Sequence, residues 1–574
     1  MVSRPHRVHS CYGSAAKVCT DRTLWYLGKA YLWRCHGRRP PTAVPARPVD
    51  GPARRRGRRR PGPPGGRGVT APTRAAPPAA ALAGGATGPD ALAPLLDAAR
   101  QALTTGAARR GGPVPTGGPA ATAAAVRAAF GADLLPEQGD DPAAVLSVLA
   151  TALVGGTADP ADPHCAGHLH CPPLAVAVAA DLVAGAVNPS LDSWDQGPSA
   201  TALEPLVVDA LGRLVGLHGG PDAGVLTSGG TESNLMGLLL ARDTVVQRVT
   251  GRSAAAGGLG ALADRLRVFC AEVAHFSVRR NAALLGLGEQ AVVPVPVDHA
   301  YRMDPAALAD RIATAIRVGL LPTAVVATAG STDFGSVDPL PQIVDVCAAH
   351  RVHCHVDAAY GGGALLSTRL AGLLTGIGRA DSVTLDLHKF GWQPVPAGVF
   401  LTADPARLAP LARRVDYLNP ADDETAGYPS LLGRSLRTTR RADAFKLAVT
   451  FRALGRRGLG ALVDRCHDLA RYAATRIAAD PRLELAAPPV LSTVVFRHRG
   501  PAGADPADRD RVNAVLRRRL LHTGAAVVGR TRVADAVWLK LTLLNPHATE
   551  TDLAALLDLV VTAGDDVSHP EPPR

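Results

Sequence analysis

Between about residues 200 and 435, short runs of β-branched residues alternate with segments of helical amphipathic periodicity. The β-branched runs predict strands. Seven of them are evident, at residues 224–227, 268–270, 292–295, 324–328, 352–356, 382–385 and 398–401. Strands that alternate with helices favour a mainly parallel sheet covered by helices on both faces, so we predict an α/β fold. Ligands of such sheets bind beyond the carboxyl ends of the strands, where we therefore expect the functional residues.

The pattern changes on both sides of this region. Residues 86–199 are Ala-rich with helical periodicity broken by Gly and Pro, which predicts an N-terminal helical segment. After about residue 437 we predict two long helices, then strands at 483–485, 492–496, 526–528 and 537–543 with helices at 508–522 and 550–562. Helices segregated against a small sheet indicate a separate α+β domain. The predicted division is a leader (1–85), a helical segment (86–199), a large domain (200–436) and a small C-terminal domain (437–574).

Composition separates the leader from the rest of the chain. The 574 residues are 47% apolar, which is ample for a large core, and carry a net charge of +12. Residues 1–75 hold seventeen Lys or Arg against two Asp or Glu, which leaves the remainder at −3. A proline-rich segment with this charge predicts disorder. Its arginine run, 54–60, keeps nucleic-acid binding open as an alternative function, and a true start near Val69 would remove most of the leader.

Other sequence features set the compartment and exclude some classes. No apolar run approaches the roughly 20 residues that a membrane helix needs. Nine cysteines show no paired framework, which favours a cytoplasmic protein with reduced thiols. Cys165 and Cys171 lie near three histidines, yet no second ligand pair with zinc-finger spacing follows, so we predict no metal.

Lysine is scarce beyond the leader, and this draws attention to Lys389. Past residue 75 the chain has three lysines and forty-two arginines, and Lys389 ends the run Asp-Ser-Val-Thr-Leu-Asp-Leu-His-Lys that begins at residue 381. A buried lysine can lose its proton and condense with an aldehyde, which a guanidinium cannot do. The ordinary alternative is a solvent-exposed lysine. Its place directly after a predicted strand favours Schiff-base chemistry.

Three other strand ends carry polar residues. Thr-Ser-Gly-Gly-Thr-Glu-Ser-Asn at 227–234 opens a predicted helix, where glycines and free backbone N–H groups suit a phosphate, although such residues also form ordinary helix caps. Asp357 follows a buried strand and would need a cation there, unless it caps the next helix. His275 follows another strand and could stack on a ring or be a packed polar residue. With Lys389, these features together indicate a pyridoxal phosphate site.

This constellation resembles the group II pyridoxal-phosphate-dependent amino acid decarboxylases. The similarity covers about residues 160–565 and is strongest to diaminobutyrate and siderophore-pathway lysine decarboxylases. The motifs that carry it are His-Leu-His-Cys-Pro-Pro at 168–173, Asn-Pro-Ser-Leu-Asp-Ser-Trp-Asp-Gln at 188–196, the 227–234 turn, Thr-Ala-Gly-Ser-Thr-Asp-Phe-Gly at 328–335 and Asp-Tyr-Leu-Asn at 416–419. The resemblance implies an aspartate-aminotransferase-like large domain, known as fold type I, and a homodimer whose active site is completed at the interface.

The resemblance also implies roles for individual residues. Lys389 would form the Schiff base, Asp357 would pair with the ring nitrogen, and His275 would stack on the ring. The remaining cofactor-binding residues would be Gly230, Thr231, Ser331, Thr332, Ala359 and His388. Tyr428 would protonate the substrate carbon, or else be an ordinary loop tyrosine. His168, His170 and Gln196 would line the substrate entrance.

The substrate itself is less constrained by the sequence. Close relatives have an aromatic residue before His-Lys-Ser, whereas this chain has Leu387 and then His-Lys-Phe-Gly-Trp. A substrate with a second amino group would need an acid, for which the candidates are Asp333, Asp422, Asp423 and Glu424. An aminotransferase of the same fold stays an alternative, because such enzymes need an arginine for the substrate carboxylate and this chain is rich in arginine.

Overall fold

The computed structural model describes residues 81–569. Of the predicted leader, 1–85, these include only residues 81–85. The predictions of a disordered leader, of nucleic-acid binding by its arginine run and of a start near Val69 therefore lie outside the described residues. The described residues form one compact unit. Its helices are α1 (Gly88–Arg110), α2 (Gly118–Phe130), α3 (Pro142–Gly155), α4 (Ala175–Val187), α5 (Pro198–Val215), α6 (Gly230–Thr250), α7 (Ala254–Gly257), α8 (Ser277–Leu284), α9 (Pro305–Arg317), α10 (Leu340–His350), α11 (Ala421–Thr425), α12 (Ala444–Ala479), α13 (Pro506–His522) and α14 (Glu550–Ser568). No helix in this part of the chain is long and apolar enough to cross a membrane.

The large sheet has seven strands in the order β1-β7-β6-β5-β4-β2-β3. They are β1 (Gly224–Thr227), β2 (Leu266–Ala271), β3 (Val292–Val295), β4 (Leu321–Thr328), β5 (His353–Ala358), β6 (Ser382–Asp386) and β7 (Gly398–Thr402). Neighbours from β3 to β6 pair in parallel, and only β7 runs antiparallel to β6 and β1. The predicted α/β fold with a mainly parallel seven-stranded sheet is confirmed. Because six strands share one direction, their carboxyl ends meet at one edge.

A second, antiparallel sheet lies in the C-terminal part. Its strands follow the order β10-β11-β9-β8, with β8 at Leu483–Leu485, β9 at Thr493–His498, β10 at Gly529–Val533 and β11 at Ala536–Thr542. This sheet and the helices α13 and α14 bury a separate apolar core. The small α+β unit is therefore present, while the domain boundaries stay predictions.

One predicted element in this part was wrong in detail. The strand expected at 526–528 is a single parallel bridge between Val527 and Cys165, and β10 begins at Gly529, where buried and exposed side chains alternate as in an antiparallel sheet with one solvated face. The two long helices predicted after residue 437 are present within α12, which Gly455, with a non-helical φ of 63° and ψ of 176°, divides into residues 444–454 and 456–479. Buried residues of α12 between 444 and 466 pack in the core of the large sheet, and those between 469 and 477 pack in the C-terminal core.

Candidate active site

The carboxyl ends of the parallel strands surround a cavity of about 450 Å³. It is lined by Ser228, Gly229, Gly230, Thr231, Asn234, His275, Phe276, Thr328, Gly330, Thr332, Asp357, Ala359, Tyr360, Asp386, His388 and Lys389. The structure therefore brings together eight of the nine residues predicted to bind the cofactor. The ninth, Ser331, is buried and bonds Oγ to Oγ with Ser336 at 2.6 Å.

Lys389 reaches the cavity from the turn that follows β6. Its Nζ lies 3.0 Å from Oδ2 of Asp386, and its side chain is only 19% exposed. The other carboxylate oxygen of Asp386 and Nδ1 of His388 are buried without a hydrogen-bond partner among the described residues. Buried polar atoms of this kind indicate a site that is completed by a polar ligand. Sequence reasoning gave Asp386 no role, although its place three residues before Lys389 was a usable signal.

The glycine turn between β1 and α6 forms another wall of the cavity. Gly229 has φ 153°, and a side chain on Gly230 would put Cβ 3.0 Å from Cβ of Ala359 and 3.1 Å from Oδ2 of Asp386. Only glycine allows so close an approach. No side chain caps the N-terminus of α6. The start of this 21-residue helix is therefore available to an anion such as a phosphate.

Asp357 closes the cavity from the end of β5. It is 7% exposed, and its carboxylate accepts hydrogen bonds from the Ala359 backbone N–H at 3.1 Å and from Nδ2 of Asn234 at 2.7 Å. Asn234 also donates to Oγ of Ser277 at 3.1 Å, and that oxygen lies 2.8 Å from Nδ1 of His275. Burial lowers the pKa of His275, which favours its neutral ring. Asn234 was not predicted, because only the fold shows that its amide faces Asp357.

Pyridoxal phosphate fits the residues around this cavity. An amine, a buried carboxylate, a half-buried imidazole and an uncapped helix start are the groups that its aldehyde, ring nitrogen, ring face and phosphate need. Residues 129–499 match the family described as pyridoxal-dependent decarboxylase conserved domain. The chain belongs to this family.

Individual relatives agree with this assignment. The chain is 42% identical to an L-2,4-diaminobutyrate decarboxylase of Rhizobium meliloti (strain 1021), over 75% of this chain and 83% of that protein. It is 39% identical to another, from Acinetobacter baumannii, over 71% and 80%. The crystal structure of the glutamate decarboxylase domain of a diaminobutyrate-pyruvate transaminase and L-2,4-diaminobutyrate decarboxylase from Vibrio parahaemolyticus superposes with a TM-score of 0.76 at 34% identity, covering 85% of this chain and 98% of that one.

The family assignment settles the reaction class. The protein is a pyridoxal-phosphate-dependent amino acid decarboxylase with the fold predicted from its sequence. The aminotransferase alternative is not supported, and none of the residues that line the cavity is an arginine that could clamp a substrate carboxylate.

The residues predicted to contact the substrate lie outside the lining of this decarboxylase cavity. His168, His170 and Gln196 are exposed, and the Gln196 amide donates to Oγ of Ser193 at 2.9 Å. Tyr428 is 47% exposed and packs edge-on against Trp194, with ring centroids 5.0 Å apart. A single chain therefore brings together most of the residues predicted to bind the cofactor, but not those predicted to contact the substrate.

The acidic candidates differ in their partners. Oδ1 of Asp333 lies 2.8 Å from Nζ of Lys540, and Oε2 of Glu424 lies 2.7 Å from Nη2 of Arg414. Asp422 and Asp423 are exposed on α11 and form no ion pair with the described residues. Two of the four candidates are therefore already neutralised by a basic side chain.

Proposed function

We propose that this decarboxylase acts on L-2,4-diaminobutyrate through pyridoxal phosphate held by Lys389. The convergence of Lys389, Asp357 and the uncapped start of α6 on one cavity supports the cofactor roles. The two diaminobutyrate decarboxylases among its relatives, at 42% and 39% identity, support the substrate. Lysine and other diamino acids are the nearest competing substrates.

Each cavity residue then has a physical task. Bound pyridoxal phosphate supplies a ring that accepts the electrons left when carbon dioxide departs. The Asp357 carboxylate, fixed by two hydrogen bonds, keeps the proton on the ring nitrogen. Lys389 binds the aldehyde, and Asp386 orients its amine at 3.0 Å. Gly230, Thr231, Thr332 and His388 would hold the phosphate group, and His275 would contact the ring and exclude water there.

We further propose that the protein is a homodimer with the site at the interface. The N-terminal helices present apolar side chains to solvent, which is typical of a surface that a second copy covers. The most exposed of these are Leu103 (59%), Val148 (56%), Leu153 (62%) and Val187 (71%). Tyr428, His168, His170 and Gln196 would then contact substrate in the assembled dimer, with Tyr428 as the proton donor to the substrate carbon. The cytoplasmic location stays a prediction.

The second amino group of the substrate needs an acidic partner. Because Asp333 and Glu424 already face Lys540 and Arg414, we propose Asp422 and Asp423 for this contact. They lie on α11, five to six residues before Tyr428, in a segment that is exposed in the single chain. A single movement of this segment would then bring both the Asp422–Asp423 pair and Tyr428 to the substrate.

A substrate panel tests the proposed function. The purified holoprotein is incubated with L-2,4-diaminobutyrate, lysine, ornithine and aromatic amino acids, and carbon dioxide and keto acid are measured in parallel. We expect carbon dioxide from diaminobutyrate in the largest amount and no keto acid, and no product from Lys389→Ala. Keto acid without carbon dioxide would contradict the proposal, and a preference for another amino acid would overturn the substrate alone.

A further inference from the structure

A stripe of buried polar residues runs along β5 behind the active site. His353, His355 and Asp357 alternate along the strand, so all three lie on one face of the sheet. Their exposures are 8%, 0% and 7%. Polar groups buried so deeply are costly unless each is hydrogen-bonded, and here the bonds join into one chain.

This chain of hydrogen bonds runs from Asp357 to the opposite edge of the sheet. Asn234 donates to Asp357 at 2.7 Å, and its Oδ1 lies 3.0 Å from Nε2 of His355. Nδ1 of His355 lies 2.8 Å from Oγ of Ser382, on the adjacent strand. That oxygen is 2.9 Å from Nε2 of His353. Finally, Nδ1 of His353 lies 3.4 Å from Nη1 of Arg407.

The residues at the two ends of this hydrogen-bond chain, Arg407 and Asp357, determine which atom donates in every hydrogen bond between them. A guanidinium can only donate, and an ionised carboxylate can only accept. Since Arg407 donates to Nδ1 of His353, each imidazole must carry its proton on Nε2 and accept on Nδ1. The Ser382 hydroxyl accepts from His353 and donates to His355. Burial lowers the pKa of both histidines to about 3, so each is neutral with a single N–H, as this arrangement requires.

The packing around His355 and Asn234 supports this hydrogen-bond chain. Gly237 of α6 lies directly over His355, and a Cβ there would be 2.5 Å from Nδ1 of the ring. Asn234, one turn earlier on α6, receives a second hydrogen bond on Oδ1 from the Thr384 hydroxyl at 2.9 Å. Because residue 237 has no side chain, α6 can lie close enough to β5 for Asn234 to hydrogen-bond with His355.

The far end of the chain opens at a separate cavity of about 330 Å³. Arg407 lines this cavity, and its Nη2 also donates to Oδ1 of Asp381 at 2.8 Å. Arg379 lines it too but pairs with Asp345 and makes no bond to His353. About four residues of strand, roughly 13 Å, separate this edge from the cofactor cavity.

We propose that Arg407, His353, Ser382 and His355 are positioning residues that act through Asn234 to orient the Asp357 carboxylate toward the cofactor ring. The inference rests on the proposed role of Asp357. Because the Asn234 amide also bonds Ser277, the same chain positions the partner of His275. One hydrogen-bond chain thus holds the group at the ring nitrogen and the group at the ring face.

The first test measures which ring nitrogen of His353 and of His355 carries the proton. Imidazole ¹⁵N chemical shifts of the protein, with and without pyridoxal phosphate, should show His353 and His355 neutral and protonated on Nε2 from pH 5 to 9. Arg407→Met should change the His353 signals. Arg379→Met, the matched arginine in the same cavity, should leave them unchanged. A proton on Nδ1 of His355 in the wild type would overturn the inference.

The second test reads the cofactor. In His355→Phe we expect the pH midpoint of the bound-cofactor absorption band to shift and kcat to fall about tenfold with little change in KM, as for the loss of one hydrogen bond to a charged group. Ser382→Ala keeps the ring and should shift the same midpoint, which covers the case that His355→Phe fails to fold.

Asp357→Asn separates the two proposals. If Asp357→Asn alters the absorption band and activity strongly while His355→Phe and Ser382→Ala leave both unchanged, the positioning chain is refuted and the proposed function stands. If Asp357→Asn itself behaves as the wild type, the proposed role of Asp357 is refuted instead.

Discussion

The cofactor half and the substrate half of the proposed site differ in where their residues lie in a single chain and in how exposed these residues are. The residues proposed to bind the cofactor follow the strands at one edge of the large sheet, and Asp357 among them is 7% exposed and accepts two hydrogen bonds. The predicted substrate residues lie on connections at the surface, as Tyr428 shows with 47% exposure. In the proposed site, rigid strands hold the groups that bind the cofactor, whereas the proposed substrate contacts lie on surface connections, where segments that move or meet a partner are usually found.

The largest effect should come from the cofactor half. Lys389→Ala removes the amine proposed to bind the aldehyde, so we expect decarboxylation to fall by about a thousandfold or more and the bound-cofactor absorption band to disappear. Lys540→Arg, which keeps a cation beside Asp333, is the control and should leave both unchanged. A visible band that persists in Lys389→Ala would remove Lys389 from the cofactor site.

The next effect belongs to the substrate half. Tyr428→Phe removes the proposed proton donor, and we expect kcat to fall about a hundredfold with the cofactor still bound. Tyr417→Phe changes the other exposed tyrosine of the same segment and should have little effect. Equal losses in the two variants would mean that the segment matters for its fold rather than for proton transfer.

Mixed dimers test whether the two halves come from different chains. Alone, Lys389→Ala should keep no more than about a thousandth of wild-type activity and Tyr428→Phe about a hundredth. If the tyrosine of one subunit serves the lysine of the other, random mixing should restore about a quarter of wild-type activity, because half of the dimers are mixed and each has one intact site. No recovery, with exchange of subunits verified by mass, would place both residues in the same chain's site.

The acidic contact should give a smaller, substrate-dependent change. Asp422→Asn with Asp423→Asn should raise KM for L-2,4-diaminobutyrate about tenfold, since a hydrogen bond to a charged group is lost. Cofactor binding should not change. Asp333→Asn should leave KM unchanged and lower Tm, because Lys540 loses its partner. A KM effect from Asp333→Asn alone would reverse this assignment.

The smallest effect is on stability in acid. Burial holds the pKa of His355 and of His353 at about 3, below the ordinary 6.5, so the unfolded chain binds protons that the folded chain does not. Stability is then fully present above pH 6.5 and falls as the pH is lowered toward 3. Tm measured across this range should decline less steeply in His355→Phe than in the wild type. An identical slope would contradict the buried, neutral state of His355.

Periodicity and strand-end chemistry predicted much of this molecule. All seven large-sheet strands were found, because β-branched runs bounded by Gly and polar residues identify buried strands, and Lys389, Asp357 and His275 followed from their places after them. Asn234 and Asp386 were missed, since their roles depend on which side chains the fold brings opposite them. The apolar 526–528 run was mistaken for a strand because its burial comes from tertiary packing that sequence pattern does not reveal.

The most direct measurement uses L-2,4-diaminobutyrate labelled with ¹³C at the carboxyl carbon. Holoprotein should release one labelled carbon dioxide and one 1,3-diaminopropane for each substrate consumed, and Lys389→Ala should release neither. Consumption of the labelled substrate with the label retained in a keto acid, or labelled carbon dioxide from the Lys389→Ala protein, would contradict decarboxylation at this lysine.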